Sequence, residues 1–280
     1  MVFNPFTEEH ELFRQQVRNF AEKELAPHAD AWEEAELFPN EVFKWAGDRG
    51  ILGAHFSEEF GGGGGDFWMS VVKAEELPRN NAAGVTMGLL VQSDMATPVI
   101  HDIGTREQKE EFLRPAIAGD RIAALGVSEP GAGSDVAGLR TTARLVGDEY
   151  IINGSKTYIT NGTRASFVTC MVKTNPEAGA RGISIILVPT DVAGYSVSRK
   201  LKKAGNWSSD TAELFFEDVR VPKRYLLGQE GMGFIYLMQN FQSERLVGCV
   251  SAISGSRLAL DRTVAWGRER QAFGKPLIKR

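Results

Sequence analysis

Two stretches of this 280-residue sequence carry side chains whose types and spacing could do chemistry. The first runs from Arg121 to Asp135, RIAALGVSEPGAGSD. Its apolar opening, Ile122 to Val127, has the composition of a buried strand. It breaks into Ser128, Glu129, Pro130, Gly131, Ala132, Gly133, Ser134 and Asp135. Pro130 fixes one backbone angle and offers no amide donor, whereas Gly131 and Gly133 let the backbone come close to something bulky. Hydroxyls, carboxylates and free amides converge here, which suits an anion or the polar rim of a heterocyclic cofactor. The same run is also compatible with an ordinary tight turn. It is a poor dinucleotide fingerprint, because the last glycine of G-x-G-x-x-G would fall on Val136. The second stretch is Phe241-Gln242-Ser243-Glu244-Arg245-Leu246. Glu244 shares a helical stripe with Phe241 and Gly248, so its carboxylate points with the apolar face. The alternative is a surface charge, but a pair with Arg245 is disfavoured because adjacent residues diverge by about 100° around a helix.

Elements must position these groups. Thr7 followed by Glu8 and Glu9 is an N-cap with favourable first-turn acids, and Phe13, Val17, Phe20 and Leu25 keep helical spacing until Pro27. A second helix begins near Pro39 and carries Val42, Phe43 and Trp45 up to Gly47 and Gly50. Gly61 to Gly65 is expected to be the most flexible loop of the chain. Helical patterns follow from Asp66 to Leu77 and from Ala82 to Met95, and Thr105 with Gln108 forms a capping box for a helix ending by Gly119. After Asp120 the texture changes to short β-rich segments. Gly147-Asp148 joins a strand ending at Val146 to one over Glu149–Asn153, and further strands are expected over Phe167–Val172, Ile183–Val188, Tyr195–Val197 and Leu214–Glu217. Strands without intervening helices argue for an antiparallel barrel or sandwich. From Met232 a long helix is expected through Arg262, and another after Pro276. The expected fold is therefore α+β and multidomain: an N-terminal all-α domain over 1–120, a middle antiparallel β domain over 121–228, and the start of a C-terminal helical bundle over 229–280.

Composition excludes several classes. With 42% hydrophobic and 24% charged residues the chain is globular, and no apolar run approaches the ~20 residues that span a bilayer. The net charge of −4 gives no nucleic-acid footprint, and the Arg199, Lys200, Lys202, Lys203 cluster is expected to be a solvated face. Cys170 and Cys249 form neither a metal spacing nor a disulfide framework, and both are expected in the core. The N-terminus shows no signal-peptide pattern, which points to the cytoplasm.

Four blocks resemble one family. LGVSEPGAGSDVAGLRTTA is similar to the flavin-binding signature of the acyl-CoA dehydrogenases. It is followed in the family's order by YIINGSKTYITNG (Tyr150 to Gly162), SSDTAELFFEDVRVP (Ser208 to Pro222) and ERQAFGKPL (Glu269 to Leu277). The resemblance covers Phe6 to Arg280, and against the family pattern most of the C-terminal helical domain is missing, as in a fragment. It implies FAD as cofactor and α,β-dehydrogenation of an acyl-CoA thioester. A base takes the α proton while the flavin takes a hydride from the β carbon, and the electrons pass to an electron-transfer flavoprotein. The base must be a carboxylate raised toward neutrality by desolvation. Most of the family supplies it from further along the chain, but a subgroup resembling long-chain and isovaleryl-CoA dehydrogenases supplies it from a motif ending Glu-Arg-Leu, which falls on Glu244.

The same resemblance assigns Leu125, Val127 and Ser128 to the flavin edge, and Gly133 and Ser134 to the pyrophosphate or the substrate. Tyr158, Ile159 and Thr160 form the second wall. Tyr158 stands where the family commonly has Trp, and Thr160 is placed to donate to the flavin nitrogen that receives the hydride. Phe241, Gln242 and Arg245 are assigned to the substrate; many relatives carry Asp where Gln242 stands. Arg270 and Phe273 resemble residues that cross to a neighbour's FAD, which implies a homodimer or tetramer. Side chains around Met87 to Met95 are expected at the floor of the acyl pocket. The rival readings are an acyl-CoA oxidase or flavin monooxygenase on the same scaffold, and a non-catalytic acyl-CoA-binding protein. No metal is implied.

Overall fold

Helices α1 (Glu8–Asn19), α2 (Ala29–Glu34), α3 (Glu41–Asp48), α4 (Phe67–Glu76), α5 (Ala83–Leu90), α6 (Pro98–Ile103), α7 (Arg106–Gln108) and α8 (Arg114–Ile117) form the first part of the chain in a computed structural model that describes residues 4–279. Thr7 caps α1 through a box closed by His10, and the chain stays helical through a wide turn, Phe20–Leu25, before Pro27 enters a 3-10 turn. Phe13, Val17, Phe20 and Leu25 are all buried. The Thr105–Gln108 box opens α7 as its spacing requires. α5 likewise runs on as a π-helical segment, Val91–Ala96.

The glycine run Gly61 to Gly65 corrects the expectation of a flexible loop. Four of its amides donate to Ser57, Gly53, Phe56 and Ala54 carbonyls at 2.8–3.0 Å. A Cβ on Gly62 would stand 2.2 Å from the Phe56 carbonyl oxygen. Close approach, not mobility, requires glycine there.

Strands β1 (Ala123–Gly126), β2 (Thr142–Val146), β3 (Glu149–Thr160), β4 (Phe167–Lys173), β5 (Ile183–Pro189), β6 (Tyr195–Val197), β7 (Thr211–Pro222) and β8 (Leu226–Leu227) make one sheet in the order β6-β7-β3-β2-β4-β5-β8, with β1 on β4. Pairing is antiparallel except for β1 with β4 and one contact of β2 with β4, so the sheet is mixed. β3 and β7 are longer than the alternation suggests, because register shifts at Ile152/Gly154 and Lys156/Ile159 interrupt the period of two.

Helix α9 (Gly233–Glu269) has 37 residues, about 55 Å of axis. It lies against α4 and the end of α5, and Asn240 Nδ2 donates to the Met95 carbonyl at 3.0 Å. Leu237 and Val247 are buried on its inner side, whereas Leu246, Ile253 and Leu260 are exposed at seven-residue spacing. Cys170 is in the core as expected, but Cys249 is exposed, because it lies on the outward side of α9. Strands β9 (Gln271–Ala272) and β10 (Lys275–Pro276) form a small hairpin, followed by a 3-10 turn over Leu277–Lys279. No helix among the described residues is long and apolar enough to cross a membrane.

Candidate active site

Four elements converge on a cavity of about 210 Å³. β1 and its continuation bring Leu125, Val127, Ser128 and Gly133; the end of β3 brings Tyr158, Ile159 and Thr160; α9 brings Phe241 and Glu244. α5 and its π-helical extension close the far side with Met87, Val91 and Met95. Nine of the residues singled out in the sequence thus share one space. Ser134, Gln242, Arg245, Arg270 and Phe273 are exposed and do not line it.

The loop after β1 is held from beneath. Lys156 on β3 is fully buried, and its Nζ donates to the Val127 carbonyl at 3.1 Å and to Glu129 Oε1 at 2.8 Å. The Glu129 carboxylate also accepts from the backbone amides of Arg140 (2.6 Å) and Thr141 (3.0 Å). Burial pushes the Glu129 carboxyl up, but the Lys156 ammonium and these donors outweigh it and hold it below the usual range. Ser128 is fixed in turn, since its carbonyl accepts the Thr157 amide at 2.9 Å. The sequence reading missed Lys156. No clean alternation announced it, because both parities of β3 are buried around Ile151–Ile152 and Lys156–Thr157.

Tyr158 sits at the second register shift of β3 with φ 63°, a left-handed conformation that is costly for an aromatic residue. Its side chain is 72% exposed. Backbone strain that presents a flat ring at a cavity edge is the sort of feature that accumulates at ligand sites.

Glu244 is the opposite of Glu129. Its Oε2 is buried and has no hydrogen-bond partner, and burial raises the carboxyl to about 7, opposed only by the Arg245 charge. Arg245 makes no ion pair with it; its guanidinium lies 4.9 Å from the Phe241 ring centroid. A carboxyl titrating near neutrality beside a cavity can take a proton from a weakly acidic C–H.

A second cavity, about 410 Å³ and mostly apolar, adjoins the first, and Met87 and Met95 line both. Thr86 and Leu90 of α5 form one wall, and Gly248, Ser251, Gly255 and Leu258 of α9 the other. A Cβ on Gly248 or Gly255 would meet nothing within 4 Å. Asn81 and Arg262 also line this cavity.

A helical unit, a mixed sheet and one long helix that meet around an unpartnered carboxylate define the class of scaffold. Comparison with known proteins gives the family. The models for the N-terminal, middle and C-terminal domains of acyl-CoA dehydrogenase match residues 7–120, 124–219 and 231–280. The chain is 44% identical over 272 residues to the long-chain specific mitochondrial acyl-CoA dehydrogenase of Mus musculus, covering 96% of this chain and 63% of that protein. The acyl-CoA dehydrogenase of Geobacillus kaustophilus superposes with a TM-score of 0.94 at 41% identity, covering 99% of this chain and 73% of that one. A glutaryl-CoA dehydrogenase from Mycobacterium smegmatis in complex with FADH2 does so with a TM-score of 0.90 at 31% identity, covering 98% and 69%. The chain belongs to the acyl-CoA dehydrogenase family and spans less than two thirds of the length of the mouse protein.

Proposed function

We propose that the protein catalyses FAD-dependent α,β-dehydrogenation of an acyl-CoA thioester to the trans-2-enoyl-CoA, with Glu244 as the base. The observation that carries this reading is the half-buried Glu244 carboxyl, whose buried Oε2 has no hydrogen-bond partner, raised to about 7 and sharing one cavity with Leu125, Val127, Ser128, Tyr158, Ile159 and Thr160. Those six residues fit a flavin: an apolar wall, hydroxyls at its rim, and an exposed ring held at the edge. FAD, when bound, supplies the acceptor for the hydride that leaves the β carbon. The M. smegmatis relative bound to FADH2 supports that choice.

In this mechanism Glu244 removes the α proton. Its raised pKa suits a base working near neutral pH, and no ion pair has to break before it reacts. Met87, Val91, Met95 and Phe241 give the carboxylate an apolar surround, and the acyl chain runs on between α5 and α9. Gly133 and Ser134 would meet the pyrophosphate or the substrate, Gln242 and Arg245 the CoA moiety, and Arg270 and Phe273 the FAD of a second subunit in a homodimer or tetramer. Electron-transfer flavoprotein as acceptor, a place in fatty-acid β-oxidation and a cytoplasmic location complete the reading.

Anaerobic titration with a panel of acyl-CoAs, following the flavin absorbance, tests it. The parent is expected to bleach and Glu244→Gln to lose at least about a thousandfold in bleaching rate. Equal bleaching by the variant would place the base elsewhere. Rapid peroxide formation in air would favour an acyl-CoA oxidase.

A further inference from the structure

Asn81 and Arg262 bring a hydrogen-bonded polar pair to the lining of the mostly apolar second cavity. Arg262 lies eighteen residues beyond Glu244 on the same helix, about 27 Å along the axis. Both side chains lean back toward the N-terminus, Arg262 by the longer reach, and a contact of about 3 Å at each end leaves roughly 19 Å for the chain itself. An extended covalent chain advances about 1.2 Å per bond, taking the peptide backbone's reach per residue over its three bonds. About sixteen to eighteen carbons therefore span the distance.

Arg262 is held at that end. It donates through one nitrogen to Asn81 Oδ1, and Asn81 adopts a left-handed φ of 68° at the end of the turn over Leu77–Asn80. Arg262 forms no ion pair with a carboxylate among the described residues. Its sequence neighbour Asp261 lines a different cleft, together with Arg257. A guanidinium has five N–H donors in a planar fork that matches a carboxylate, and Asn81 takes one of them. A terminal methyl group placed there would leave the Arg262 guanidinium without an anionic partner.

We propose that this end of the cavity selects long acyl chains that carry a carboxylate at the ω carbon, with Arg262 as its partner. The inference rests on the acyl-CoA reading of Glu244. Charge complementarity decides the occupant: the walls suit methylenes, and the terminus suits an anion.

The test compares hexadecanoyl-CoA with its ω-carboxylated counterpart on the flavin-loaded protein, with octanoyl-CoA as a short reference. Apparent affinity is read from anaerobic bleaching, and independently by calorimetry with unreactive thioether analogues. The ω-carboxylated chain is expected to bind about three- to tenfold more tightly than the plain one. That ratio should fall toward one at 0.5 M salt and in Arg262→Leu, and persist in part in Arg262→Lys. Bleaching by octanoyl-CoA combined with a ratio of one or less in the parent would overturn this inference alone. If no chain of any length bleaches the flavin, the dehydrogenase reading falls and takes the inference with it.

Discussion

Two glutamates near one cavity, Glu129 buried and Glu244 half-buried, have opposite electrostatics. Glu129 follows Ser128 in the loop after β1 and is surrounded by an ammonium and two amides, which hold it ionised. Glu244 on α9 has a buried oxygen with no partner and titrates at about 7. Burial acts on both in the same direction. The number of donors aimed at each carboxylate separates an anchor from a base, and residue type alone does not.

The largest effect comes from removing the anchor's partner. Lys156→Met leaves Glu129 buried without its cation, and urea denaturation of the flavin-loaded protein is expected to show a loss of about 3–5 kcal/mol. Adding Glu129→Gln to that variant should recover most of the loss; no recovery would mean that Lys156 stabilises through packing alone. Glu244→Gln should do the reverse and stabilise the protein, in a pH-dependent way. Below the ordinary 4.5 both folded and unfolded chains hold the proton, so the substitution gains nothing. As pH rises through about 7 the parent loses stability that the variant keeps, with a gap of about 3 kcal/mol at most. A gap that does not change with pH would show that burial does not raise Glu244. The smallest effect belongs to Arg245, whose charge is the one opposing influence on Glu244. In the parent, the bleaching rate at saturating substrate should rise with a midpoint of about 7. Arg245→Leu should move that midpoint upward by roughly half a pH unit or less.

Helical period, capping boxes and turn residues made most elements legible. Thr7 and Thr105 cap helices as their spacing requires, and Tyr195–Val197 has the expected bounds. Glu244 was placed with Phe241 by stripe geometry, and both line the cavity. What was illegible depends on contacts distant in sequence. The parallel pairing of β1 with β4 leaves no local trace. The strand bulges that put Tyr158 in its strained conformation interrupt the alternation that would announce a longer strand. Lys156 and Lys73 are both fully buried against carboxylates, Glu129 and Asp94, and charged residues are normally read as exposed. Cys249 erred the other way, because an apolar neighbourhood in sequence covers both faces of a helix.

The outward row of Leu246, Ile253 and Leu260 on α9 has a colloidal consequence. Three large apolar side chains recur along one side of the helix over about 21 Å, and exposed apolar surface gathered on one face favours association in water. A net charge of −4 spread over 280 residues offers little repulsion against it. Solubility should therefore follow this face: precipitation by ammonium sulfate should begin early for the parent and be delayed by Ile253→Lys, the middle of the row.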